Sequence, residues 1–475
     1  MSTRKKIIVV GGGISGLSAA HKLVELREER GLSVDITLLE AGPRVGGVIS
    51  TRYEDGFIIE EGPDSFITTK PAALQLCSRI GLGDSIIPTN QHNRRTYILL
   101  DGKLLPLPDG FLLLAPTRFW PFIKSPVFSL AGKLRMIMEV VIPRRAADED
   151  ESLGSFVRRR FGAEALERVA QPLIGGIYAS DLEKLSIRAT MPRFLEMERQ
   201  SGSVIRALLR EQRAPNQSGA EGSGARYGLI VSLRSGMQSL VDGLAAGLPE
   251  GAVKLGTRVK SVEMASGRWI VSLDEGEGME ADGLIIAAPS FVASRLLEGL
   301  DSELSNDLGG IEYASSAVVN FGFNKSDIKQ PLDGFGIVVP AVEKRAIIAC
   351  SFSSVKFEGR APEGKHLIRC FLGGALNPGV CEMDERDLSE SAFNELRYIL
   401  GGSFDPLFSY VSRYPSSMPQ YMVGHLDLIS EINGRVSEHS GLELAGNYFD
   451  GVGTPDCIRT GETAAENLLD YLFSG

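Results

Sequence analysis

Between residues 5 and 40 the chain reads as strand, glycine turn, helix and second strand, and this unit constrains the fold more than any other feature. Residues 5–10 read as a buried strand, with the apolar run Ile7-Ile8-Val9-Val10 after two lysines. Gly11-x-Gly13-x-x-Gly16 follows, with Ile14 and Ser15 between the last two glycines. A helix is predicted over 17–29, where Leu17, Ala20, Leu23, Val24 and Leu26 recur on one face, and a strand over 34–39. The first glycine permits a tight turn, the second lets backbone approach a pyrophosphate, and the third lets helix pack on strand with a phosphate at the helix N-terminus. Glu40 ends the second strand, where a carboxylate can accept from ribose hydroxyls. A glycine turn beside a surface glutamate is the plainer alternative. The complete β-α-β unit around it favours a dinucleotide site in an α/β fold.

Composition narrows the function classes. A chain of 475 residues is long enough for two to four domains at roughly 100–200 residues each. Its net charge of −10 offers no basic footprint for nucleic acid, and an anionic substrate would need local Arg or Lys in its pocket. Five scattered cysteines fit neither a zinc site nor a disulfide framework and predict reduced thiols in the cytoplasm. The apolar run before the first glycine is too short for a signal peptide. The greasiest stretch, 104–123, is broken by Pro106, Pro108, Asp109, Pro116 and Arg118. It cannot span a bilayer but could lie on one.

Further along, helices are predicted over 71–80, 131–141, 152–160, 163–173 and 237–246, and a flexible loop over 214–228. Strands are predicted within 51–61 and over 259–264, 269–273, 282–288, 317–323, 334–339, 346–352 and 366–372. The run Ala41-Gly42-Pro43-Arg44-Val45-Gly46-Gly47 after Glu40 resembles the second fingerprint of FAD oxidoreductases with the glutathione-reductase-type fold. Arg44 can neutralise pyrophosphate charge, and Gly46-Gly47 can let main chain pass along a flavin. Near the C-terminus come Asn447, Gly451-Val452-Gly453 and Thr454, then a helical pattern. In that fold class this late turn returns to face the flavin, so the implied cofactor is FAD, with no metal.

Five segments carry a closer resemblance, to the protoporphyrinogen/coproporphyrinogen oxidase family of haem biosynthesis, over nearly the whole chain. They are Glu61-Gly62-Pro63-Asp64-Ser65, then 172–179 with Leu185-Ser186, Gly334-Phe335-Gly336 with Val339-Pro340, Pro419-Gln420-Tyr421 with Gly424-His425, and Gly451-Val452-Gly453 with Asp456-Cys457-Ile458. The resemblance implies oxidation of protoporphyrinogen IX to protoporphyrin IX by removal of six electrons, with O2 as acceptor and H2O2 as product. Coproporphyrinogen III is the alternative substrate. It also implies flavin contacts at Gly62, Pro63, Asp64 and Ser65, with lesser ones at Val259, Tyr414 and Asn447. The Gly176 carbonyl would accept from pyrrole N–H groups, and Phe335, Val338 and Phe371 would sandwich the ring. For both phenylalanines, plain core packing is the alternative. No residue is assigned as acid or base; His92, His366 and His425 read as structural or surface. Members that prefer protoporphyrinogen often carry an arginine near Gly102 for a substrate propionate. The register puts Thr96 there and Arg95 one step earlier, so Arg95 enters as the substrate-binding cation.

The implied architecture is an α/β, FAD-binding Rossmann domain built from discontinuous segments (1–90, 227–300 and 420–475), a mixed β-sheet substrate domain (301–419) and a helical, membrane-associating domain (96–205). Peripheral membrane contact through 104–130 and a homodimer are carried as expectations. Two rivals differ in class: another FAD oxidase, such as an amine oxidase or desaturase, and a non-enzymatic lipid chaperone resembling the GDP-dissociation inhibitors.

Overall fold

The structure, a computed structural model, describes residues 4–92, 94–112, 114–146, 149–213 and 229–474. The loop predicted over 214–228 and Leu113 lie outside them. Two sheets organise the rest. The first has five strands in the order Val253–Lys254, Val34–Leu39, Lys5–Val10, Gly283–Ile286, Leu442–Leu444, all parallel. Both its faces are covered, which is why Ile7-Ile8-Val9-Val10 reads as a continuous apolar run and not an alternating one. Helices Ile14–Glu29, Gln238–Ala246 and Thr454–Phe473 cover one face; the three-stranded sheet of Val259–Ala265, Arg268–Leu273 and Met279–Ala281 lies on the other with Ser290–Leu297 and His425–Glu438.

The second sheet is mixed, with seven strands in the order Phe408–Pro419, Tyr313–Asn324, Lys365–Gly373, Ile347–Phe352, Gly334–Val338, Arg95–Leu100, Lys103–Pro106. Only Gly334–Val338 and Arg95–Leu100 pair in parallel. Ala317, Val319, Phe321, Cys350, Cys370 and Leu372 point to one face, where helix Glu385–Leu400 closes a core. The opposite face looks toward a helical region from Phe119 to Arg213, whose own core is built on Phe122, Phe156, Phe161 and Ile174.

Three expectations are corrected. The helix predicted over 163–173 is a short α-turn, Ala163–Ala165, followed by a ten-residue π-helix, Leu166–Gly175. Pro172 lies inside it and has no N–H for a regular i→i−4 bond. The helical texture expected from 96 onward begins later, because Arg95–Leu100 and Lys103–Pro106 form a hairpin that joins the seven-stranded sheet. The helix over 17–29 starts earlier, at Ile14, with Gly13 as its N-cap. The five cysteines are all free thiols, four of them buried.

Candidate active site

Because Lys5–Val10, Gly283–Ile286 and Leu442–Leu444 are parallel, the helices that follow the first and last of them, Ile14–Glu29 and Thr454–Phe473, start at the same edge of the sheet. Ligands of open α/β sheets bind at that edge. Gly13 caps one helix and Gly453 the other, and neither N-terminus receives a side-chain cap, so its first N–H groups suit an anion. Gly11 has φ +105°, a conformation L side chains rarely adopt. A Cβ on Gly16 would run into the Gly11 carbonyl oxygen; a Cβ on Gly13 would meet no atom within 4 Å. Gly13 thus keeps open a space bordered by uncapped helix N–H groups, the cradle a pyrophosphate needs.

The Glu40 carboxylate accepts from the Gly12 and Gly42 amides, both at 2.6 Å. It is half-buried and retains lone pairs for ribose hydroxyls. Gly46 donates its N–H to the Gly12 carbonyl at 2.7 Å, fastening the loop after Ala41 onto the fingerprint turn. Arg44 donates to the carbonyls of Val45, Gly47 and Ile49 at 2.8–3.0 Å, so here its guanidinium shapes that loop from within. Thr257 N–H bonds the Glu40 carbonyl, which brings the start of the strand at Val259 to the same end of the sheet.

Gly62 packs so closely on the Val48 carbonyl that a Cβ would overlap it, which fixes the Gly62-Pro63-Asp64-Ser65 turn beside that loop. Asp64 forms ion pairs with Lys356 at 2.9 Å and Arg369 at 3.8 Å, and accepts from Ser65 Oγ at 2.6 Å. Burial would raise its carboxyl, but Lys356 and Arg369 hold it well below the usual carboxylate range. Arg369 also donates to the Gly62 and Glu61 carbonyls. Tyr414 lies in the field of Arg369, Glu61 and Arg44, its phenol pushed up mainly by burial.

Gln420 and Tyr421, quoted above only as markers, acquire roles as ties. Gln420 bonds Ser180 Oγ and the Tyr178 carbonyl. Tyr421 is fully buried; its hydroxyl donates to the Asn447 carbonyl and accepts from the Gly451 amide. Asn447 Nδ2 donates to the Ser417 carbonyl at 3.2 Å. Val452 packs on the helical core, and Thr454 is buried at the helix start. His425 stacks on Tyr421 at 4.2 Å and bonds the Phe449 carbonyl, and burial lowers its pKa, as suits a structural histidine.

Register aligns a row of side chains across five strands of the seven-stranded sheet. Ile98 pairs with Val338, Val338 with Ala349, Ala349 with Phe371, and Phe371 with Val318. Val338 and Phe371 thus flank the small Ala349 on the face opposite the Phe321 core. The next row runs Thr96, Gly336, Ser351, Arg369, Asn320. Thr96 is buried in it. Arg95 is not: it is exposed and paired with Asp333 at 3.2 Å. A register irregularity between Gly334 and Gly336 accompanies this offset, and on a strand one residue changes the face. Phe335 is buried in its strand, its carbonyl accepting from Ser351 Oγ.

A cavity of about 340 Å³ opens where the π-helix ends. Gly175, Gly176 and Ala179 line one side, Val339 and Ile348 another, and Gly373-Gly374 a third. Gly176 is the one predicted substrate residue in its wall, with Val338 beside Val339 and Phe371 two residues before Gly373; Arg95 and Phe335 are not in it. The cationic pair Lys356 and Arg369 escaped the sequence reading because nothing local links either to Asp64.

The model of the family described as flavin containing amine oxidoreductase matches residues 14–469. Coproporphyrinogen III oxidase of Bacillus subtilis (strain 168) is 35% identical over 99% of each chain. Protoporphyrinogen oxidase 1, chloroplastic, of Arabidopsis thaliana is 32% identical over 97% of this chain and 87% of that one. A crystal structure from Exiguobacterium sp. 255-15, assigned as a protoporphyrinogen oxidase, superposes with TM-score 0.87 at 30% identity, covering 98% and 99%. The open cradle at Gly13, the Glu40 carboxylate and the second uncapped helix at Gly453 fit the dinucleotide of FAD. The chain belongs to the flavin-containing amine oxidoreductase family and, within it, to the protoporphyrinogen/coproporphyrinogen oxidases.

Proposed function

We propose that this protein is an FAD-dependent porphyrinogen oxidase that removes six electrons from its substrate, with O2 as acceptor and H2O2 as product. The observation that carries the reading is the row Val338, Ala349, Phe371, an apolar wall with a low centre on which a macrocycle can lie. Coproporphyrinogen III is the better-supported substrate, because bacterial relatives bearing that name match at 35% and 32% identity. Protoporphyrinogen IX, the first choice from the sequence, is the second reading, supported by the chloroplast relative.

Flavin, when bound, supplies a two-electron acceptor that is used three times per substrate. The chain's own part is positioning and exclusion of water. The residues that would hold the cofactor are Gly13, Glu40, the 62–65 turn and the Gly453 helix start. Val338 and Phe371 would fix the plane of the ring, and the Gly176 carbonyl would accept from pyrrole N–H. Thr96 would sit at the wall where Arg95 was expected. Anaerobic mixing with each porphyrinogen tests this: flavin bleaching and porphyrin fluorescence are expected. Bleaching by amines alone, or a purified protein that releases no flavin on boiling, would overturn it.

The division into 1–90, 96–205, 227–300, 301–419 and 420–475 is carried as part of the same proposal, as are the homodimer and the cytoplasmic location. So is peripheral membrane contact by the helical region. Trp120 is 70% exposed and Leu130 85%, with Phe119, Leu134 and Val141 also exposed. Among the described residues no helix is long and apolar enough to cross a membrane.

A further inference from the structure

The cavity beside Gly176 has two cationic side chains in its wall, Lys344 and Arg345. Arg345 is already engaged. Its Nε lies 3.0 Å from the Glu395 carboxylate, and its guanidinium stacks 3.5 Å above the Tyr398 ring. Lys344 is exposed, and its ammonium has no ion-pair or hydrogen-bond partner among the described residues. The nearest acid in sequence, Glu343, accepts from the Asp101 amide at 2.8 Å and is absent from the cavity wall.

Lys344 is also held in an unfavourable backbone conformation. It ends the short turn Ala341–Glu343 with φ +53°, a left-handed position where glycine or asparagine is the ordinary choice. Strain of this kind in a cavity wall points to a use for the side chain it carries. The remaining polar side chains of the wall, Gln171, Ser180 and Asn377, are neutral. Gln171 and Ser180 are spent on internal bonds. With a net charge of −10, the molecule offers an anion no general attraction, so a local cation has to provide it.

We propose that Lys344 is a specificity-determining residue that pairs with a carboxylate at the outer edge of the macrocycle and favours a substrate with four carboxylates over one with two. This rests on the porphyrinogen reading above. A ring carrying a propionate on every pyrrole presents a carboxylate at whichever edge faces the turn. A ring with two propionates on neighbouring pyrroles presents vinyl groups at its far edge.

The test uses the full-length, flavin-loaded protein and three substitutions. Lys344→Gly removes the charge and relieves the backbone strain, Lys344→Arg keeps the charge, and Lys344→Glu reverses it. For coproporphyrinogen III, KM is expected to rise about three- to fivefold in Lys344→Gly with kcat unchanged, as suits a partly exposed ion pair. Lys344→Arg should stay near wild type, Lys344→Glu should lose about tenfold, and added salt should shrink the differences. KM for protoporphyrinogen IX should move less than twofold. An unchanged KM for coproporphyrinogen III, or equal losses on both substrates, would overturn the proposal. Binding of oxidised coproporphyrin III, followed by fluorescence, separates this from the reading beneath it. If the wild type oxidises neither porphyrinogen, the function falls, and an unchanged Kd in Lys344→Gly then removes Lys344 as well. A weaker Kd would keep Lys344 as a carboxylate site.

Discussion

A Cβ on Gly16 would run into the Gly11 carbonyl oxygen, whereas one on Gly13 would meet no atom within 4 Å. Two glycines of one motif therefore predict different failures. Gly16→Ala should lower the Tm of flavin-free protein, with a cost of about 2 kcal/mol from overpacking. Gly13→Val should leave that Tm unchanged and still yield colourless protein, because only the ligand would meet the new side chain. Absorbance at the flavin band and thermal melts of both variants check this. Glu60 offers a test in pH. Burial pushes its carboxyl up from 4.5 to about 7, against bonds from Thr51 and the Met237 amide and the charges of Arg360 and Arg369. The folded state then holds a proton that the unfolded state has released, so stability falls as pH rises from about 4.5 to 7 and stays lowered above that. The full effect is on the order of 3 kcal/mol. Glu60→Gln should gain on wild type between pH 5 and pH 8 in thermal melts; a constant difference would contradict the assignment.

The apolar wall proposed for the substrate belongs to the scale of elements. Ala349 is the small residue between Val338 and Phe371, so Ala349→Phe should fill the low centre of the wall. KM for porphyrinogen should rise about tenfold or more with flavin content unchanged. At the helix crossing, a Cβ on Gly461 would run into the Ser15 carbonyl, so Gly461→Ala should wedge the first and last helices apart. Flavin retention and Tm should fall together. The difference between these sites explains what was legible. The turn at Gly11–Gly16 and the acid at Glu40 are local patterns, readable from spacing alone. The wall is not local: residues 98, 338, 349, 371 and 318 meet only through register. Thr96 and Arg95 show the same limit, since one step along a strand with a neighbouring irregularity decides which faces inward. The π-helix over 166–175 was missed because its apolar spacing differs little from that of an α-helix over so short a span.

At the scale of the whole molecule, exposed apolar side chains recur along the sequence at Phe119, Trp120, Leu130, Leu134 and Val141, beyond the 104–130 segment the sequence singled out. Trp120→Ser with Leu130→Ser and Leu134→Ser should abolish co-sedimentation with neutral phospholipid vesicles, with turnover of dispersed substrate within about twofold of wild type. Binding that survives would remove these side chains from the membrane. The order of strands in the parallel sheet has a consequence of another kind. Lys5–Val10 leaves the ribosome some 270 residues before its neighbour Gly283–Ile286, and earlier still relative to Leu442–Leu444. At the usual pace of translation the first strand waits on the order of tens of seconds for that neighbour. Its four apolar residues meanwhile present an unpaired edge, a hazard for a chain not yet complete. Flavin capture has to wait for the helix start at Gly453, so the cofactor cannot guide early folding, and a nascent chain stalled before residue 442 should emerge without it.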